Sequence, residues 1–343
     1  MLKSRKLVFW KDIYIYLYLN ISMEDEYIII STNKEKAQAT TIANKLNLTL
    51  GDINIKQVQG SETSVDVKSY VNYKKVFLIY NIFQPVNESI MQLLFIADAI
   101  RKEGAEKIYL ITSYLPYTKI KYRTEYKLNF SLFSRLLQET NIDKIYTFGL
   151  YSPKISFYLK IPLYNIPLIN LFSKVIEDNF TKNKNLMITT IDYEMQETSK
   201  DIAKKTKSEV IFPTKDIINN KIKFNISGNV NGKDILIISD SIFTGENIIE
   251  YSNYLTLKGA KNISVIATHG ILDKKAIPLI EKSVIKQIYV INHNYQKSEK
   301  IKIVSTTKII EEIIKRTVDK KNLKNILKWF KYLSILYNIY LFL

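Results

Sequence analysis

Short apolar runs alternate with amphipathic segments along most of the chain. Stretches such as "EYIIIST", "KKVFLIYNI", "KIYLITSYL" and "KIYTFGL" are short and continuously apolar, which is typical of strands buried on both faces. The segments between them, including "KEKAQATTIANKL", "ESIMQLLFIADAIRKEG" and "NFSLFSRLLQET", carry apolar residues at helical spacing. This alternation predicts a parallel sheet that is covered by helices on both faces.

The same pattern starts again in the second half of the chain. The segments "NLMITTI", "SEVIFPTK", "DILIISDS", "NISVIATHG" and "IKQIYVINH" are predicted strands, and helical segments follow the first, third and fourth of them. We therefore predict two tandem α/β domains, each a mainly parallel sheet flanked by helices. No low-complexity linker marks the boundary, which we place between residues 23–165 and residues 166–318.

The two ends of the chain differ from its middle. Residues 1–22 are basic and then apolar, but Lys11 and Asp12 interrupt them and no small-residue cleavage site follows, so we interpret them as an N-terminal extension. Residues 319–343 form an apolar C-terminal extension whose uninterrupted run is shorter than the roughly 20 residues of a spanning helix. We expect it to dock on the protein or on a partner; contact with a membrane interface is the less favoured alternative.

Composition narrows the chemistry. The chain has no cysteine, which excludes disulfides, thiolate metal sites and a cysteine nucleophile, and fits the reducing cytoplasm. With only two histidines, histidine-rich metal sites are excluded as well. The formal charge of +17 is typical of nucleic-acid-binding proteins, but the chain has five arginines among its 50 basic residues, and its lysines are spread along its length. We interpret this as a lysine-rich surface and expect no nucleic-acid partner.

A strand–loop–helix segment at residues 235–260 carries the first candidate site. Its loop holds Asp240, Thr244 and Gly245 between a buried strand and a helix. Such a loop presents backbone N–H groups and a helix N-terminus, which together favour a bound phosphate.

Two longer stretches resemble one enzyme family. "QPVNESIMQLLFIADAIRKEGAEKIYLITSYLPYTK" resembles the part of ribose-phosphate pyrophosphokinases in which a Pro-Val-Asn turn opens a helix and the next strand leads into the catalytic loop. "NGKDILIISDSIFTGENI" and "KGAKNISVIATHGIL" are similar to that family's ribose-phosphate loop and its Thr-His-Gly segment. The similarity runs from about residue 26 to residue 318, and it implies a phosphoribosyltransferase-like (Rossmann-like) fold for each of the two domains. It implies transfer of pyrophosphate from ATP to ribose 5-phosphate, with Mg²⁺ as cofactor, to give 5-phosphoribosyl 1-diphosphate for nucleotide biosynthesis.

The resemblance also implies roles for individual residues. They are Lys119 and Lys215 in catalysis, Asp192, Asp240, Thr244 and Gly245 in binding ribose 5-phosphate, Glu62 and Arg123 in binding the nucleotide, and Asp192 as a metal ligand. The residues themselves allow structural alternatives: Lys215 as a solvated lysine, Asp192 as a turn former, Glu62 as a surface charge and Asp240 as a helix cap. For His269, before Gly270, we expect a structural role in a turn.

The chain departs from the family at several of these points. "KIKY" at residues 119–122 stands where the family has Arg-Gln-Asp-Arg, and Tyr151 stands where it has a metal–nucleotide histidine. Ser239, Phe243 and Glu246 also break the family's loop pattern. We therefore expect weakened activity; the alternative is an inactive relative that acts as a regulatory or nucleotide-binding subunit. The resemblance implies a homo-oligomer, or an assembly with an intact family member.

Overall fold

The computed structural model describes residues 26–58, 62–118, 124–150, 153–180, 185–218, 221–273, 275–291 and 298–323. The predictions for residues 1–22, Lys119, Arg123, Tyr151 and residues 324–343 lie outside these ranges.

The first half of the chain builds a six-stranded parallel sheet with a small hairpin beside it. In chain order its elements are β1 (Tyr27–Ser31), α1 (Lys36–Leu46), β2 (Thr49–Gly51), β3 (Ile53–Gln57), β4 (Thr63–Val67), β5 (Lys75–Ile79), α2 (Val86–Lys102), β6 (Lys107–Thr112), α3 (Thr124–Glu139), β7 (Lys144–Phe148), a 3₁₀ segment (Pro153–Tyr158), β8 (Leu163–Ile166) and α4 (Ile169–Phe180). The strand order is β2-β1-β5-β6-β7-β8, and β3 and β4 form the separate antiparallel hairpin.

The second half repeats this arrangement. Its elements are β9 (Leu186–Thr189), a 3₁₀ segment (Tyr193–Met195), α5 (Gln196–Thr206), β10 (Glu209–Ile211), β11 (Pro213–Ile218), β12 (Lys221–Ile226), β13 (Asp234–Ile242), α6 (Glu246–Leu257), β14 (Asn262–Gly270), α7 (Ala276–Lys282), β15 (Gln287–Ile291), β16 (Ile301–Val304) and α8 (Thr307–Val318). The parallel sheet has the order β10-β9-β13-β14-β15-β16, and β11 pairs with β12 in a second hairpin. The predicted fold class of two tandem parallel-sheet α/β units is confirmed.

One predicted strand is wrong in detail. The sequence pattern predicts a single strand for "SEVIFPTK", but this segment divides into β10 of the main sheet and the start of β11 in the hairpin. The division falls at Phe212, just before Pro213. Because proline has no N–H to donate to a ladder, Pro213 is suited to open a new strand and not to continue one.

Helix α2 buries the apolar residues whose spacing predicts one buried face. Its residues Ile90, Leu93, Ala97 and Ile100 are buried, as their three-and-four spacing predicts. Leu94 is partly buried against the same core cluster.

The two halves share one hydrophobic cluster, and each half also has a cluster of its own. A single cluster contains Ile29 and Phe77 from the first sheet together with Ile188 and Leu236 from the second. Helices α1, α4, α5 and α8 contribute to this cluster as well. At its rim the Gln38 amide donates to the Thr306 and Thr307 hydroxyls at 3.2 Å each. The chain therefore crosses from one half to the other through buried structure, since β8 ends at Ile166 and α4 then enters this core.

No helix among the described residues combines the length and the apolarity needed to span a bilayer.

Candidate functional site

The second sheet has its topological switch point between β9 and β13. From β9 the chain passes through α5 to β10 on one side, and from β13 it passes through α6 to β14 on the other. In open parallel sheets, ligands bind beyond the carboxyl ends of the strands at such a point. Asp192 follows β9 and Asp240 lies near the end of β13, so two of the predicted site residues meet there.

The Asp192 carboxylate is held on one side by two donors. Its Oδ2 accepts the Ser239 hydroxyl at 2.8 Å and the Asp240 backbone N–H at 3.1 Å. The backbone of Asp192 is also fixed, because its N–H donates to Thr190 Oγ1 at 3.0 Å and its carbonyl accepts the Met195 N–H at 2.9 Å. Asp192 thus does form a turn, as the structural alternative proposed, and it presents an oriented carboxylate as well.

Asp240 is a strand residue and not a helix cap. The cap of α6 is Gly245, and no side chain caps that helix. Only 5% of Asp240 is exposed, and it borders a cavity of about 170 Å³ between the two halves. Thr268 of β14, Gly149 and Leu150 after β7, and Glu194 also line this cavity. Sequence reasoning did not identify Gly149 or Thr268.

The loop at residues 243–247 leads directly into α6. Gly245 has φ of 80°, a left-handed conformation that favours glycine. Thr244 is exposed and its hydroxyl accepts the Glu246 N–H at 3.4 Å. The first N–H groups of α6 therefore lie beside exposed Thr244, as a phosphate site requires. The exposed Glu246 carboxylate suits the helix N-terminus but opposes a phosphate in the same place.

The remaining described candidates lie on the two hairpins. Lys215 is exposed in β11, where it pairs with Phe224 of β12. Phe224 anchors the hairpin, since its ring lies 4.9 Å from that of Tyr251 in α6. Glu62 is exposed just before β4, and its carbonyl accepts the Val58 N–H at 2.8 Å. In the part of the chain that the structure describes, no hydrogen bond or ion pair joins Lys215 or Glu62 to the two acids.

His269 does not lie in a turn. It is buried in β14, 6% exposed, and paired in register with Ser241 of β13. Its ring lies 5.0 Å from the ring of Tyr114 in an edge-to-face arrangement. The expectation of a turn is therefore wrong, because β14 extends as far as Gly270.

The first half repeats the carboxylate arrangement with a buried glutamate. Glu35, between β1 and α1, accepts the Asn81 backbone N–H at 3.2 Å and the Thr32 hydroxyl. Strands β1 and β5 are neighbours in the first sheet, as β9 and β13 are in the second. The contact of Glu35 with the Asn81 N–H after β5 is therefore equivalent in position to the contact of Asp192 with the Asp240 N–H of β13. Burial is the largest influence on the Glu35 carboxyl, and it raises its pKa above the ordinary value in spite of these donors.

The acids offer a partial set of magnesium ligands. Across the described ranges, no three histidine, cysteine or acidic side chains cluster as a metal site. Mg²⁺ commonly keeps several waters and is held by one or two carboxylates together with substrate phosphates. Asp192 and Asp240 therefore fit a magnesium ion that arrives with phosphates, and they do not fit a resident ion in a protein cage.

Comparisons with known proteins agree along most of the chain. The family profile described as the N-terminal domain of ribose phosphate pyrophosphokinase matches residues 27–139, and the profile described as the phosphoribosyl synthetase-associated domain matches residues 179–328. The ribose-phosphate pyrophosphokinase of Rhizobium meliloti is 24% identical over 307 residues, which cover 87% of this chain and 99% of that protein. The protein of the same name from Mycoplasmopsis pulmonis is 28% identical over 323 residues, covering 91% of this chain and 99% of its own.

A solved structure shows the same fold. The crystal structure of phosphoribosylpyrophosphate synthetase from Mycobacterium smegmatis matches with a TM-score of 0.78. The match covers 86% of this chain and 99% of that one at 18% sequence identity.

Proposed function

Because this chain belongs to the ribose-phosphate pyrophosphokinase family, we propose that it transfers pyrophosphate from ATP to ribose 5-phosphate, with weakened activity. In this reaction the anomeric hydroxyl of the sugar attacks the β-phosphorus of ATP, AMP leaves, and 5-phosphoribosyl 1-diphosphate forms. A cytoplasmic role in nucleotide biosynthesis is part of the same proposal.

One observation carries this proposal. Asp192, Ser239 and Asp240 form a hydrogen-bonded cluster at the switch point of the second sheet, and the same strand β13 leads into the loop at residues 243–247. A sugar phosphate needs acceptors for its ring hydroxyls and N–H donors for its phosphate. The cluster supplies acceptors, and the loop before α6 supplies donors.

Each residue then has a defined task. Asp240 accepts hydrogen bonds from the ribose hydroxyls, while Thr244 and the backbone of Gly245 donate to the 5-phosphate. Asp192, oriented by Ser239, would hold Mg²⁺. When bound with ATP, the ion neutralises the phosphate oxygens. Lys215, together with Lys119 and Arg123, supplies positive charge to the transferred group, since such reactions depend on positioning and on cationic stabilisation.

Self-association belongs to the proposal as well. Helices α2 and α3 border an apolar groove of about 310 Å³, and Met91, Phe95 and Leu132 on these helices are 45%, 41% and 52% exposed. Large exposed apolar patches commonly mark interaction surfaces. Among the described residues Glu62 has no hydrogen bond or ion pair to either acid, and we propose that it reaches the nucleotide of a second subunit. Sedimentation of the protein beside Leu132→Lys tests this, and we expect the variant to shift towards monomer.

The second candidate is a family relative that binds ligands without turnover. Ser239 favours it, because an acid of the family pattern is replaced by a hydroxyl that donates to Asp192.

Calorimetric titration with ribose 5-phosphate tests the site. We expect saturable binding that is lost in the double variant Asp240→Ala with Thr244→Ala. The exposed pair Asp66→Ala with Thr41→Ala is the control and should bind as the unmodified chain does. Unchanged binding in the first double variant would place the site elsewhere.

A further inference from the structure

The carboxyl end of β14 touches the first half of the chain at three nearby points. A Cβ placed on Gly149 would lie 2.4 Å from Thr268 Cγ2, so the backbone after β7 directly abuts this strand. The His269 ring packs edge-on against Tyr114 at 5.0 Å. The Ile271 carbonyl accepts the Gln84 amide at 3.3 Å.

On its other side the same segment is attached to the loop at residues 243–247, which corresponds to the family's ribose-phosphate loop and is called by that name below. Ser241 pairs with His269 and Ile242 pairs with Gly270 in the β13–β14 ladder. Beyond the ladder, the Asp273 N–H donates to the Phe243 carbonyl at 3.1 Å. Residues 268–273 therefore lie between the first half of the chain and the loop at residues 243–247.

The contacting residues of the first half are themselves fixed. The N–H of Ser113, next to Tyr114, donates to Asn81 Oδ1 at 2.8 Å. The Asn81 N–H donates in turn to the buried Glu35 carboxylate. These hydrogen bonds fix the backbone next to Tyr114, so the ring that contacts His269 is held by an ordered segment.

We propose that the first half of the chain sets the conformation of the ribose-phosphate loop through the end of β14, with Tyr114 as the positioning residue. The physical reason is that His269 and Ile271 lie in one closely packed segment, in which Ile271 is 3% exposed. A shift of His269 must then also move Ser241, which is paired with it in β13 and precedes the loop. The consequence for ligand binding rests on the proposed function, whereas the effect on the loop itself does not.

Hydrogen exchange of the ligand-free protein tests the proposal. An edge-to-face aromatic pair is worth about 0.5–1.5 kcal/mol, which corresponds to roughly 2- to 13-fold in a local opening equilibrium. We expect Tyr114→Ala to speed exchange by about that factor at residues 242–247 and 268–273. Tyr114→Phe keeps the ring and should remain within about 2-fold of the unmodified chain. Tyr70→Ala removes a tyrosine that is 70% exposed and should leave these segments unchanged.

The outcomes separate cleanly. Unchanged exchange at residues 242–247 in Tyr114→Ala overturns the proposal, and so does an equal increase in Tyr70→Ala. If Tyr114→Ala does not fold, Gln84→Ala decides instead, because Gln84 is exposed and its loss removes one contact to Ile271; faster exchange supports the proposal and no change overturns it.

Calorimetry with ribose 5-phosphate is a separate experiment. Absence of binding by the unmodified chain would remove the proposed function, while the exchange result would still decide the role of Tyr114.

Discussion

Ser239 determines how the Asp192 carboxylate is held. Its hydroxyl lies 2.8 Å from Asp192 Oδ2 and donates to it. An aspartate at this position, as in the family pattern, would bring a second carboxylate against Asp192. Two carboxylates that share a site disfavour each other's ionisation and raise one pKa. The sequence shows that residue 239 is a serine where the family pattern has an acid. It does not show that this serine donates to Asp192, because that contact depends on β9 and β13 being neighbours in the sheet.

We therefore predict that Ser239→Asp destabilises the protein by about 1–3 kcal/mol at neutral pH. Lowering the pH should relieve the loss, because protonation of either carboxyl removes the repulsion. Ser239→Asn is the matched control, because asparagine has the size of aspartate but is neutral and can donate a hydrogen bond. Urea unfolding of both variants at several pH values measures the effect, and equal stability of the two at pH 7 would contradict it.

For Glu35 we predict that the ionised carboxylate of the unmodified chain lowers the stability of the folded state. Its pKa is raised by burial, so the folded state binds its proton more tightly than the unfolded state does. Stability must then fall as the pH rises from the ordinary glutamate value through the raised one. Glu35→Gln should remove this part of the pH dependence, because its amide can accept from Asn81 and donate to Thr32. Unfolding curves of both proteins between about pH 4 and pH 8 provide the test; parallel pH profiles would contradict the assignment.

At the scale of elements, the predictable parts are those with long or strongly periodic patterns. The apolar strands β5, β6, β7 and β14 and the helices α1, α2 and α6 were all read from the sequence in their places. The two hairpins were not, because strands such as β3 and β4 are only partly buried and carry a weak pattern. The short strand β2, of three residues, offers no periodicity to detect, and β10 was predicted only as part of one longer strand.

Helix α8 was also not predicted, although it contributes to the core between the two sheets. We predict that Ile313→Ala, which opens a cavity at a residue with 0% exposure, lowers the free energy of unfolding by about 2–5 kcal/mol. Ile303→Ala on the edge strand β16 removes the same atoms from a residue that is 55% exposed, and it should cost under about 1 kcal/mol. Urea denaturation compares the two, and a similar loss in both would mean that α8 does not anchor the core.

At the scale of the whole molecule, the shared core makes the two halves one unit of stability. The boundary predicted between residues 165 and 166 falls within β8 (Leu163–Ile166), and helices from both sides of it fill the shared cluster. We predict a single cooperative unfolding transition, in which amide protection of β1 and β9 is lost together. Hydrogen exchange at increasing urea would measure this. Loss of protection in one sheet at lower urea than in the other would contradict it.

The site is likewise a property of the whole molecule. The family resemblance predicts Asp192, Asp240, Thr244 and Gly245 as site residues, and in the structure both acids and the loop lie at one switch point. The cavity beside Asp240 was not foreseen, because Gly149 and Thr268 approach each other from different halves. Their contact depends on how the two sheets face each other, which no local pattern encodes.

The most direct test of the account is an assay of purified protein with ATP, Mg²⁺ and ribose 5-phosphate, in which phosphorus NMR follows AMP and 5-phosphoribosyl 1-diphosphate. We predict equal amounts of both products, formed at least about 10²-fold more slowly than by a family member that retains the histidine and the arginines. Lys215→Ala should abolish the reaction. Formation of neither product, or products whose rate Lys215→Ala leaves unchanged, would contradict the proposed activity of this chain.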